Sequence, residues 1–165
     1  MDVLAVGDNS LIVKPINYKL GNVLTEKSLY PVINLGKASI INAKLTVNIV
    51  HDEPQQINIG NDVYINKSVT LIDGITIGNG VIIGPNCTVE CDIPDYAILK
   101  DDEIVGYRYS DVVIDFLNEL KWWDWTEQQQ QVNIWFFKES IYRCNTISSE
   151  YGKHDIECIK RKLKL

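Results

Sequence analysis

Between residues 59 and 94 the apolar positions recur every six residues. The stretch divides into IGNDVY, INKSVT, LIDGIT, IGNGVI, IGPNCT and VECDIP. First place is held by Ile59, Ile65, Leu71, Ile77, Ile83 and Val89, all branched aliphatic. Fifth place is held by Val63, Val69, Ile75, Val81, Cys87 and Ile93, all compact and apolar. Second place is Gly60, Gly78 or Gly84 in three rungs and Asn66 in another. An α-helix cannot put every sixth residue on one side, because its period of about 3.6 does not fit six. A plain strand alternates by two and asks for no Gly or Asn at a fixed offset. The pattern predicts short strands separated by turns, each rung pointing one aliphatic side chain into a shared core: a parallel β-helix.

Upstream, Val6 and Ile12 open two similar rungs. The phase fails between Asn17 and Asn34. It resumes at Leu35 as LGKASI, INAKLT, VNIVHD and EPQQIN and runs without a slip into Ile59. From Ile12 to Leu35 is 23 residues, one short of four rungs, so part of 17–34 leaves the coil as an excursion at a corner. The unbroken phase places His51 at the fifth place of its rung, with Pro54 marking a corner.

Beyond Tyr109 the period turns helical. Ser110 is a plausible N-cap, Asp111 suits the first turn, and Val112, Val113, Phe116, Leu117 and Leu120 form a stripe. Trp122, Trp123 and Trp125 are expected to pack this helix onto the coil. Thr126 and Gln129 form a capping-box pair that predicts a second helix to about Lys138. Trp135, Phe136 and Phe137 make a dense apolar cluster, expected to meet another subunit or the coil. The basic stretch 152–165, with His154, is expected to be a frayed, solvated helix tail. The organisation read from the pattern is a β-helix over 1–109, with the excursion at about 17–34, and a helical extension over 110–165.

Composition narrows the function. With 22 acidic against 16 basic side chains and a net charge of −6, the chain lacks the basic face that nucleic acid requires. No apolar run reaches the ~18 residues of a membrane span, and the acidic start is no signal peptide, so a soluble cytoplasmic protein is expected. Cys87 takes an inward place, and Cys91, Cys144 and Cys158 have no zinc-site spacing. A catalytic zinc held by three His is excluded by a total of two, so no metal is expected.

The rungs, with DIPDYAI at 92–98, YRYS at 107–110 and ELKWWDW at 119–125, resemble the hexapeptide-repeat acyltransferases. Within them the chain is similar to the xenobiotic O-acetyltransferases of the chloramphenicol and streptogramin type and their polysaccharide-modifying relatives. The resemblance implies an all-β left-handed parallel β-helix, a homotrimer, and an active site shared between two subunits. It implies acetyl-CoA as co-substrate and a hydroxyl acceptor on a sugar, a polysaccharide precursor or an antibiotic-like small molecule. The family's excursion carries an Asn-His-Arg base followed by Ser-Thr-Tyr-Pro-Phe. Here Ser28-Leu-Tyr-Pro-Val matches the second part, and Asn17-Tyr18-Lys19 puts Tyr18 where the His would be. The resemblance therefore points instead to His51 as base, with Asp52 or Glu53 to orient it. It also implies that Tyr64, Lys67, Pro85, Glu90, Cys91, Lys100 and Arg108 border the cofactor.

The chemistry asks for such a base. Acyl transfer from a thioester to a hydroxyl requires removal of the alcohol proton, and neutral imidazole, with a pKa near ~6.5, takes it at neutral pH. The alternative is a catalytically lapsed hexapeptide-repeat protein that serves as a binding or assembly subunit. Glu90-Cys91 in place of a Thr-Lys pair, and Leu99-Lys-Asp-Asp-Glu in place of Val-Gly-Gly-Asn-Pro-Ala-Lys, favour that alternative.

Overall fold

In the computed structural model, residues 4–6, 8, 11–12, 16–20, 33–42, 45–51, 53, 55–138 and 149–165 are described. The chain divides into two compact units, Met1–Tyr107 and Arg108–Leu165.

The first unit is a left-handed β-helix whose strands visit three faces in rotation. Turn one comprises β1 (Leu4–Val6), β2 (Leu11–Ile12) and β3 (Ile16–Leu20). Turn two comprises β4 (Ile33–Leu35), β5 (Ile40–Ile41) and β6 (Leu45–Ile49). Turn three comprises β7 (Ile57–Ile59), β8 (Tyr64–Ile65) and β9 (Val69–Ile72), and turn four β10 (Thr76–Ile77), β11 (Ile82–Ile83) and β12 (Thr88–Val89). The coil closes with β13 (Ala97–Lys100), against which β14 (Glu103–Tyr107) folds back antiparallel. The first face is β1-β4-β7-β10, the second β2-β5-β8-β11-β13-β14, and the third β3-β6-β9-β12.

All twelve first- and fifth-place residues between Ile59 and Ile93 are buried. They join Ile33, Leu35, Ile41, Leu45, Val47, Ile49 and Ile57 in one aliphatic core. Burial of this non-directional kind holds the stack, and the corners supply the directional part. At the corner after the first face, Asn61 Oδ1 accepts from the Lys37 N–H at 2.7 Å. Asn79 Oδ1 then accepts from the Asn61 N–H at 2.9 Å, and Asp95 Oδ1 from the Asn79 N–H at 2.7 Å. Each short polar side chain thus satisfies a corner amide of the preceding turn, which is why Asn and Asp recur there.

The registers show how long each turn is. From turn three to turn four the strand partners are 18 residues apart, as in Asn58 with Thr76 and Tyr64 with Ile82. From turn two to turn three they are 24 apart, as in Ile33 with Ile57 and Leu45 with Val69. The six additional residues fall after β6 and before β7, at 50–55. From turn one to turn two the partners are 29 apart, as in Leu4 with Ile33 and Ile16 with Leu45. The eleven additional residues there fall between β3 and β4.

Two expectations change as a result. Both ends of the stretch 17–34 belong to the coil, since β3 reaches Leu20 and β4 begins at Ile33; residues 21–32, with Ser28-Leu-Tyr-Pro-Val, lie outside the described residues. Tyr18 is a strand residue in register with Val47, not a loop residue. His51 is likewise not at an inward rung position: it stands on the insertion at 50–55, and its side chain is 44% exposed. An insertion of one full repeat leaves the six-residue phase untouched, so this break leaves no mark in the pattern.

In the second unit, α1 (Asp111–Leu120) buries Val113, Phe116 and Leu117 from the predicted stripe. Ser110 occupies the N-cap with extended backbone but makes no side-chain cap bond. The box at α2 (Glu127–Val132) forms as expected, with Thr126 Oγ1 accepting from the Gln129 N–H and Gln129 Oε1 accepting from the Thr126 N–H. The single helix expected to Lys138 is two, because Asn133 interrupts it before α3 (Ile134–Lys138). The aromatic residues pack on one another, with Trp122–Phe137 centroids 5.3 Å apart and Trp125–Phe136 5.4 Å.

The C-terminal stretch is not frayed. It forms α4 (Ser149–Lys162), and buried Asn133 holds the residues beyond it, donating to the Lys164 carbonyl at 2.9 Å and accepting from its N–H at 3.0 Å. His154 lies on this helix, and its side chain is outside the described residues. Replacing Asn133 with Ala strands the Lys164 amide, and a loss of about 2 kcal/mol is expected in denaturant unfolding. Amide exchange should rise at Lys164 in the same protein.

Candidate functional site

The corner after the third face carries the described histidine of the coil. In turn three this corner is short: β9 ends at Ile72, and Asp73, Gly74 and Ile75 lead into β10. In turn two it is widened by residues 50–55, of which 52 and 54 lie outside the described residues. Asp73 sits under the mouth of this loop with its side chain fully buried. Its Oδ1 accepts from the Val50 N–H at 2.8 Å and its Oδ2 from the Gln55 N–H at 3.0 Å. One carboxylate therefore joins the two ends of the insertion. Its Oδ2 also lies 3.1 Å from His51 Nδ1.

The electrostatics follow from this geometry. Burial pushes the Asp73 carboxyl up, but the two backbone N–H groups and His51 outweigh it and hold its pKa below the ordinary 3.8. A carboxyl whose folded pKa is depressed contributes stability at pH above its unfolded value and loses it as pH falls through the folded value. The stability gap between the native protein and an Asp73→Asn variant should therefore be full near neutrality. It should shrink below about pH 4. Thermal melts of both proteins over that range check this.

The structure distributes the other sequence candidates over separate places. Glu53 is exposed on the insertion, and Asp52 lies outside the described residues. The carboxylate that meets the His51 ring is Asp73, which local sequence reasoning did not reach because it lies one turn away. Glu90 and Cys91 are exposed and follow β12 as Asp73 follows β9, so they share the His51 corner. Lys67 and Pro85 stand on the next corner line, where the Asn86 N–H donates to the Lys67 carbonyl at 2.9 Å. Lys100 ends β13 on the same side, and all three are exposed. Tyr64 faces outward on the second face, its hydroxyl accepting from Asn42 Nδ2 at 2.8 Å. Arg108 belongs to the helical unit, with its guanidinium 5.2 Å from the Tyr109 ring centre.

The expected cofactor set is thus split. The edge with Lys67, Pro85 and Lys100 offers two ammonium groups to a phosphate-bearing ligand. Glu90 and Cys91 stand on another corner and carry no cation. Among the described residues no group of His, Cys, Asp and Glu is arranged to hold a metal ion. No helix among them is long and apolar enough to cross a membrane.

Comparison with known proteins agrees with the coil. Residues 57–91 match the family described as bacterial transferase hexapeptide (six repeats). The chain is 40% identical over 99 residues to a probable macrolide acetyltransferase of Lysinibacillus sphaericus, covering 59% of this chain and 54% of that protein. It is 37% identical over 73 residues to a chloramphenicol acetyltransferase of Agrobacterium fabrum, covering 43% of this chain and 35% of that one. A crystal structure of serine acetyltransferase isoform 3 from Entamoeba histolytica aligns over 70% of this chain and 38% of its own, at 18% identity and a TM-score of 0.41. The chain spans about half the length of the first of these relatives and about a third of the second. By its rungs and these matches, the chain carries the bacterial transferase hexapeptide repeat over residues 57–91 and is similar, over part of its length, to acetyltransferases named for chloramphenicol and macrolides.

Proposed function

We propose that the protein transfers an acetyl group from acetyl-CoA to a hydroxyl of a sugar, a polysaccharide precursor or an antibiotic-like small molecule, with His51 as general base. The observation that carries this reading is the placement of His51 on a six-residue insertion at a corner of the coil, with its ring 44% exposed. Acetyl-CoA supplies an activated acyl carbon through its thioester. His51 Nε2 takes the proton of the acceptor hydroxyl as its oxygen attacks that carbon. The C–O bond forms, the C–S bond breaks, and the imidazolium returns its proton to the departing thiolate.

The edge with Lys67, Pro85 and Lys100 is not the corner with His51. In this reading the chain is a homotrimer with sites between subunits, where a thioester along that edge meets the base of a neighbouring copy. Sedimentation equilibrium tests the trimer. Calorimetry with acetyl-CoA, followed by transfer assays on chloramphenicol, a macrolide and an oligosaccharide, tests the function. Absence of binding at millimolar acetyl-CoA would sink the enzyme reading. It would leave the second reading, a binding or assembly subunit, which Glu90-Cys91 in place of a cation-bearing pair favours.

A further inference from the structure

A loop of six residues needs its two ends held. Asp73 holds both, through Val50 at one oxygen and Gln55 at the other. The chain makes room for it. Gly74 has φ +89°, and a Cβ there would come within 2.7 Å of Gln55 Oε1, so the absence of a side chain lets Gln55 settle beside the carboxylate. Those two amides tie the ends of the loop to one carboxylate. The third contact, from Oδ2 to His51 Nδ1 at 3.1 Å, restrains a ring that is 44% exposed.

That contact has a chemical consequence. A neutral imidazole carries one proton, and a carboxylate accepts but does not donate. With Asp73 ionised, the proton resides on Nδ1, and Nε2 keeps its lone pair. We infer that Asp73 is the positioning residue of the site: the carboxylate that seats the insertion also fixes the tautomer and the heading of His51, leaving Nε2 free to accept a proton. This rests on the proposed role of His51 as base. It replaces Asp52 and Glu53, the sequence neighbours, with a residue from the adjacent turn.

The test uses the full chain with ¹⁵N-labelled histidine and no substrate, so that the ring is read separately from activity. The native spectrum at neutral pH should show the Nδ1–H tautomer for His51, with Nε2 shifted as an unprotonated nitrogen. An Asp73→Asn variant should show the opposite tautomer or a mixture. Its kcat should fall about 100-fold or more with KM within about twofold, as expected when a base is held in the wrong tautomer. A native spectrum dominated by Nε2–H overturns the inference, as does an Asp73→Asn protein with altered tautomer and unchanged kcat. If that variant does not fold, the native spectrum decides alone: Nδ1–H supports the assignment and Nε2–H ends it. A His51→Ala protein with full turnover is a different failure. It removes the base and leaves the pairing of ring and carboxylate to stand or fall on the spectrum.

Discussion

A His51→Ala protein is expected to lose acetyl transfer by about 10²–10⁴-fold while melting within a degree or two of the native chain. The first number is the usual contribution of a positioned general base. The second follows from where the ring sits. It lies outside the aliphatic core, and its partner Asp73 keeps both backbone donors when the ring is removed. The combination separates the proposed role from a structural one. A histidine that merely braced the loop would lower the melting temperature and spare turnover. Steady-state kinetics beside calorimetric melts read both quantities on one preparation. Loss of both together would place His51 among the structural residues.

Gly60→Ala should be among the most damaging single-carbon changes in the coil. A Cβ on Gly60 would lie 2.7 Å from the Gly78 carbonyl carbon and 2.8 Å from the Asn79 nitrogen, while one on Gly36 would lie 2.5 Å from the Gly60 carbonyl carbon. These neighbours are backbone, so they cannot rotate aside. The turns must separate at that corner, straining the Asn61–Asn79 ladder and the rungs beneath it. A loss of about 3 kcal/mol is expected, at the upper end of overpacking penalties. For a chain of this size that lowers Tm by about 6–12 °C. Gly84→Ala is the control. Its Cβ would be 3.0 Å from the Leu99 carbonyl oxygen and otherwise in ordinary contact, so its loss should be clearly smaller. Equal losses at Gly60 and Gly84 would contradict the close stacking of the first corner.

Much of the coil was legible because its cause is local and repetitive. An aliphatic residue at every sixth place has to find the same interior, and Ile59, Ile65, Leu71, Ile77, Ile83 and Val89 do so. The Thr126–Gln129 box was legible for a similar reason, since both partners lie within one helical turn. Other readings failed where a contact skips a turn. The helix break at Asn133 has no signal nearby, because its partner is Lys164, 31 positions on. The tail that ends in KRKLKL is solvated as its composition suggests, but it is not frayed, because that pairing holds it.

For this protein, then, the order of residues alone determined which side chains enter the coil and that a helical stretch follows it. Only the tertiary structure decided how many residues each turn contains, and so which residues become neighbours. Eleven extra residues shift the six-residue phase and were visible as a break; six extra residues restore it and were not. His51 therefore looked like an inward rung residue flanked by acids. In the folded chain it stands on a loop above Asp73, 22 positions away in sequence, because stacking puts corners of adjacent turns in contact whatever length of chain lies between them.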